Sequence, residues 1–193
     1  MPGTSTFSVS PRAVAAAGLS MERLCERAGV TPASAWNTGD FFRLWAAADE
    51  MLADRSAGLR FGAEGIARGH GVASIVALQA PDFRRALAAL ARYKRLTCPE
   101  LVEVEIQGDE ATVRYRWLEA AGKVPRLLVD TTTSSLKELA RRGTAGRVAP
   151  VRLELARREQ DRELLCRHSI VPSSSRRRTT RWCSIGRRST CHS

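Results

Sequence analysis

The apolar residues of this chain keep mostly helical spacing up to about Leu96, broken by a Gly-rich stretch over 55–71. They switch to a period of two between Leu101 and Leu118, and return to helical spacing after Pro125. Helices come first, then a hairpin and a helix, then a strand and a last short helix. That order reads as an α+β domain: N-terminal helices packed on a small, mostly antiparallel sheet containing a hairpin at about 101–118. At 193 residues with 44% hydrophobic content, the chain is one ordinary domain with enough apolar mass for a core.

Start and stop signals place the elements. Ser10-Pro11 opens a helix that stops at Gly18, and Ser20 opens a second, MERLCERA, ended by Gly29. Asp40 is read as the cap of FFRLWAAADEMLAD, with Phe41, Leu44, Trp45, Ala48, Met51 and Leu52 on one face. LRFGAE is read as a short strand, and VASIVALQA as helical or extended. Pro81-Asp82 opens FRRALAALARYKRL. LVEVEIQ and ATVRYRWL flank a turn at Gly108-Asp109-Glu110. Val102, Val104, Ile106, Val113, Tyr115 and Trp117 are expected on the core side. Glu103 and Glu105 are expected outside, near Arg114 and Arg116. RLLVDTTTSSLKELARR follows as a helix whose Thr- and Ser-rich middle must be held by packing. VAPVRLELA is a strand, and RREQDRELLCRH a final helix.

The periodic pattern ends near His168, and residues 169–193 form a separate basic tail, expected to be disordered. Arg167 to Ser193 holds seven Arg and no acid, and so carries seven of the eleven net positive charges. No apolar run is as long as a membrane span, and the N-terminus has no basic segment followed by a long apolar one. Five scattered Cys without a C-x-x-C suggest reduced thiols, and a cytoplasmic location is expected. The three His have no metal-ligand spacing, so neither a metal nor a cofactor is expected.

Several segments together resemble the N-terminal, arabinose-binding-like effector domain of AraC-type bacterial transcription regulators. They are GLSMERLCERAGV, FFRLWAAADEMLAD, AGLRFG, APDFRRALAALARYKRL, the hairpin, and Pro125 leading into a helix. Leu44-Trp45, Gly58-Leu59 with Phe61-Gly62, and Ala86-Leu87 with Arg92-Tyr93 carry most of the specificity. The resemblance covers roughly residues 10–168 and implies an effector-binding and dimerisation domain with a small-molecule partner and a possible homodimer. The connection from Thr31 to Asp40 is shorter than the family's. In such regulators the domain continues into two further strands, and then into a DNA-reading helix-turn-helix region. The tail of this chain shows none of these motifs. Read one base out of phase, however, its codons permit FDCPVVFAAPDNALVFDRAALDLPF, the form of the missing end, and the Trp182-Cys183 junction forces its Val. The expectation is a frameshifted, truncated regulator that keeps the sensing domain and lacks the DNA-binding one, with an uncovered sheet edge where the strands are lost.

Candidate effector-binding residues are the large amphipathic side chains and their neighbours: Trp45, Arg92, Tyr93, Tyr115 and Trp117. Most aromatics at such spacing are simply core. The alternative partner is nucleic acid, held without base readout by Arg176, Arg177, Arg178, Arg181, Arg187 and Arg188. GLSMERLCERAGV is not read as a helix-turn-helix, because Glu22 and Glu26 would face phosphates. The Gly62-x-x-Gly65 and Gly69-His70-Gly71 stretches are not phosphate loops. No nucleophile has a base and an orienting group, so the chain is not read as an enzyme.

Overall fold

The structure is a computed structural model, in which residues 5–69, 71–108, 110–118, 120, 122–155, 162–169 and 183–187 are described. Its N-terminal part is β1 (Thr6–Phe7), α1 (Pro11–Ala16), α2 (Met21–Ala28), β2 (Trp36–Asn37) and α3 (Thr38–Leu52). Helices α4 (Ala57–Ala67), α5 (Val72–Leu78) and α6 (Phe83–Tyr93) follow, and a 3-10 turn at Lys94–Leu96 leads into the hairpin β3 (Glu100–Gln107) and β4 (Glu110–Trp117). The chain continues through α7 (Arg126–Gly143), β5 (Val148–Leu153), α8 (Arg162–Ser169) and β6 (Cys183–Arg187).

The helix ends follow the local chemistry closely. Ser10 Oγ accepts from the Ala13 amide at 3.3 Å, and Asp82 Oδ1 accepts from the Arg85 amide at 2.8 Å, each satisfying a first-turn N–H that has no helical partner. Gly29 ends α2 at φ 61°, in the left-handed region that favours glycine. For α3 the capping residue differs from expectation. Asn37 is the cap, its Oδ1 accepting from the Asp40 amide at 2.9 Å, so Asp40 sits in the first turn instead. Both residues can cap, and the antiparallel pairing of β2 with β1 fixes Asn37 as the last extended residue. That two-stranded pairing was not anticipated.

LRFGAE is helical, not a strand, and lies inside α4. The reason is tertiary. Gly58 and Gly62, one turn apart, let the backbone of α4 press against α7. A Cβ on Gly62 would stand 2.2 Å from Thr131 O, and one on Gly58 would stand 2.6 Å from Leu127 O. The Thr/Ser run of α7 completes this contact. Ser134 Oγ donates to Leu59 O at 2.6 Å and Ser135 Oγ to Gly62 O at 3.2 Å. Thr131 and Thr133 return their hydroxyl protons to carbonyls one turn back, at 2.7 and 2.8 Å. Residues poor in helix propensity are thus retained because they are short and can satisfy their own polar groups at a close helix–helix approach.

The main sheet has the order β3-β4-β6-β5, antiparallel throughout. One face is covered by α5, α6 and α7 through a core that includes Leu87, Leu90, Val102, Val113, Leu136 and Leu139. The opposite face carries the cross-strand ion pairs Arg116–Glu103 and Arg114–Glu105, both at 3.1 Å, so the polar-out, apolar-in alternation holds. Helices α1–α3 pack one layer farther out, against α4 and α7 through Leu24, Leu44, Ala57 and Leu127. Arg126 ties these layers together, bonding Asp49 of α3 and Asp130 of its own helix.

The tail, read as lacking structure, contributes strand β6. Cys183–Arg187 lie between β4 and β5, so the gap expected in the sheet is filled and the edges are β3 and β5. Backbone pairing is blind to side-chain identity, which is why a segment without an apolar repeat can still occupy the slot. The rest of 170–193 lies outside the described residues.

Candidate cavity between the helical layers

Two helical layers that do not fully interdigitate leave a cavity of about 440 Å³ between them. Its walls come from α1, α3, α4, α5 and α7, and from the turn after α6. The apolar wall includes Val14, Leu44, Trp45, Phe61, Leu127 and Leu128. Trp45 stands against Phe41, with ring centroids 6.1 Å apart, and its indole Nε1 is buried without a hydrogen-bond partner among the described residues. An unpaired buried donor is costly, and this one stands in the cavity wall.

The polar side of the cavity is built on Lys94. Its ammonium pairs with the Glu100 carboxylate, Nζ to Oε1, at 3.3 Å. Glu100 is fully buried, whereas Lys94 keeps 20% of its side-chain exposure. The other Glu100 oxygen accepts from Thr132 Oγ1 at 3.0 Å and from Cys98 Sγ at 3.5 Å. One carboxylate therefore joins the turn after α6, the first residue of β3 and the middle of α7. Burial, the largest single influence, would lower the Lys94 pKa, but Glu100 and Cys98 together outweigh it, and the net shift is upward, keeping the ammonium charged. The Cys98 thiol is pushed well above its ordinary pKa, first by burial and then by the Glu100 charge, so it stays protonated and donates.

The proposed contact residues fall in different places. Trp45 lines this cavity. Tyr115 lines a separate void of about 10 Å³ that it shares with Lys94, Glu100 and Thr132. Arg92 lies over the ring of Tyr93, 5.4 Å from its centroid, at the end of α6, and neither residue lines the cavity. Trp117 packs edge-on against Phe42 at 6.0 Å, also away from it. Of the tail arginines, Arg187 ends β6 and pairs with Val148 through its backbone. Arg176, Arg177, Arg178, Arg181 and Arg188 lie outside the described residues.

Lys94, Cys98, Glu100 and Thr132 were not singled out from the sequence. A signal existed for one of them. Glu100 is in phase with Val102, Val104 and Ile106, so the period of two extended back by one step puts a carboxylate on the core side. Among the described residues no cluster of His, Cys, Asp and Glu is arranged to hold a metal ion, and no helix is long and apolar enough to cross a membrane.

The architecture is thus a helical layer over a one-faced antiparallel sheet, with a partly open cavity between the helical layers. Residues 18–167 match the family described as the arabinose-binding domain of AraC transcription regulators, N-terminal. The chain belongs to that family. No curated protein matches it. Among solved structures it is similar to the transcriptional regulator CdpR from Pseudomonas aeruginosa, at 17% identity and a TM-score of 0.49. That similarity covers 86% of this chain and 53% of CdpR, so the chain spans about half the length of that regulator. The family is one of transcription-regulator sensing domains, not of enzymes.

Proposed function

We propose that this chain senses a small molecule, which binds in the cavity beside Trp45 and Lys94. The observation that carries the reading is the cavity itself. About 440 Å³ lies within the size range of small-molecule sites, which combine apolar walls with a few placed polar groups. In an intact regulator such binding would bias the geometry of a homodimer and so the affinity of a DNA-reading region for its operator. The chain itself is read as non-catalytic and cytoplasmic. A thermal-shift screen of sugars, amino acids, aromatic acids and aliphatic acids tests this. At least one compound should raise the melting temperature by mass action and quench Trp fluorescence, with the quench lost in Trp45→Phe. A response that persists unchanged in Ala48→Trp, which fills the cavity from α3, would place the binding elsewhere and refute the reading.

The finer reading is that residues 169–193 are an out-of-register translation of the segment that continues the domain in such regulators. It is supported by the codons that the tail residues permit, which read one base out of phase can spell the form of the family's missing end. Sequencing past the stop codon should reveal a helix-turn-helix region one base out of register, and its absence in every frame would refute this. A second reading, binding of nucleic acid through the tail, is favoured by one observation: Arg167 to Ser193 carries seven of the eleven net charges. Deleting that segment should abolish any salt-sensitive, sequence-blind DNA binding, and retention of such binding would overturn this alternative.

A further inference from the structure

We infer that the cavity selects a monocarboxylate with an apolar body, its carboxylate seated on Lys94 and its body against Trp45, Phe61 and Leu44. The inference rests on the sensing reading above and deepens it.

Among the described residues the charged groups of the lining are Glu64, Arg68 and Lys94. Glu64 and Arg68 pair with each other at 3.5 Å with about half of each side chain exposed, which places them at the rim. Among the described residues Lys94 is the one ionised side chain of the wall that is mostly enclosed, and Glu100, which holds it, does not line the cavity. An ammonium has three protons, and Glu100 engages one. Glu100 does not depend on Lys94 alone, since Thr132 and Cys98 also donate to it. Two Lys94 protons therefore remain for a ligand.

The hydroxyls of α7 sharpen the selection. Thr131, Thr132 and Ser135 all line the cavity, and each has committed its proton, to Leu127 O, Glu100 and Gly62 O respectively. They have no proton left to donate. Among the described residues the donors offered to a ligand are the Lys94 ammonium, the Trp45 indole and the hydroxyls of Ser8, Ser10 and Ser74; the ammonium is the one enclosed charged donor, which favours a head group that accepts hydrogen bonds and carries negative charge. A cationic head would meet no unpaired acid in the wall. A carboxylate meets an enclosed ammonium, while the remaining wall is apolar.

Decanoate and decan-1-ol, equal in chain length, separate the parts of this inference when titrated by calorimetry into the full chain. Decanoate should bind about tenfold or more tightly than the alcohol, the loss expected when one charge-assisted hydrogen bond is removed. The double variant Lys94→Met/Glu100→Gln removes both charges without stranding either, and its folding is checked by its melt. In it the two compounds should bind alike. Equal affinities in the wild type, or a carboxylate preference that survives in the double variant, would overturn the inference while leaving the sensing site standing. Failure of both compounds, together with no hit in the broader screen, would overturn both.

Discussion

Gly62 tests the packing argument most sharply. Replacing it with Ala adds one methyl at the point where α4 and α7 are closest. That methyl would lie 2.2 Å from Thr131 O, and 2.7 Å from both Ser134 Cβ and Ser135 N. All three neighbours are backbone or the root of a side chain, so no flexible end can swing aside and the helices must separate. Intrinsic propensity favours Ala over Gly by about 1 kcal/mol in a helix interior. Against that gain stand overpacking, about 1–3 kcal/mol, and the weakening of the Ser134–Leu59 and Ser135–Gly62 hydrogen bonds, about 1 kcal/mol each. The sum is a loss of about 2–4 kcal/mol, a fall in melting temperature on the order of 10 °C for a domain of this size. Gly143→Ala is the control, because its methyl meets only Phe83 at 3.9 Å, and it should be neutral or slightly stabilising. Melts followed by circular dichroism decide it. A Gly62→Ala protein that melts within a degree or two of the wild type would show that the helices can part freely, and would refute the close-approach account of the α7 hydroxyls.

Lys94→Met alone leaves the buried Glu100 carboxylate without its cation and should destabilise by about 3–5 kcal/mol in urea titrations, with most of the loss recovered by adding Glu100→Gln. Asp54 has its pKa lowered to about 2, chiefly by the Arg60 guanidinium and also by Ser56. A depressed carboxylate contributes stability that is present above its unfolded value and is lost as pH falls toward 2. Asp54→Asn should therefore flatten part of the acid limb between pH 4 and 2; because the pair is partly exposed the effect should be small and shrink with salt, and an unchanged limb at low ionic strength would contradict the assignment. Cys25 and Cys98 are buried with raised pKa values, so peptide mapping after mild iodoacetamide treatment should find both unmodified in the native protein and Cys166 labelled ahead of them; prompt labelling of Cys98 would argue against its protonated, enclosed state.

What was legible in the sequence were the features written locally. Caps and stops at Ser10, Asp82 and Gly29, the hairpin alternation and the amphipathic face of α6 all follow from neighbours within a turn or two. The misreading of LRFGAE shows the limit. Two glycines lowered its apparent helicity, yet they mark a face that another helix, some seventy residues later, must reach. The cavity was legible only at Trp45, because its wall is assembled from many separate segments and no single period records them. Lys94 and Glu100 were hidden for a different reason. Each reads as a surface charge at the end of an element, and only their pairing, with the hydrogen bonds Glu100 accepts from Thr132 and Cys98, makes burial of the carboxylate tolerable.

Strand β6 joins the packing to the question of the tail. It fills the interior of the sheet, pairing with β4 at Ala111–Val113 and with β5 from Val148 to Leu153. The out-of-phase reading of the tail places its NALVFD run over positions 180–185, overlapping that slot. On that reading the slot suits an apolar strand, whereas the present segment CSIGR supplies the backbone ladder with fewer apolar residues. Three proteins separate these contributions: the chain as it stands, the chain ended after residue 168, and the chain with the in-phase segment restored. Ending at 168 should lower the melting temperature and promote association, because β4 and β5 would each present an unpaired edge. Restoring the apolar segment should raise the melting temperature above that of the present chain. If all three melt alike, neither the ladder nor the lost side chains contribute to stability, and the link between the tail and the sheet has to be given up.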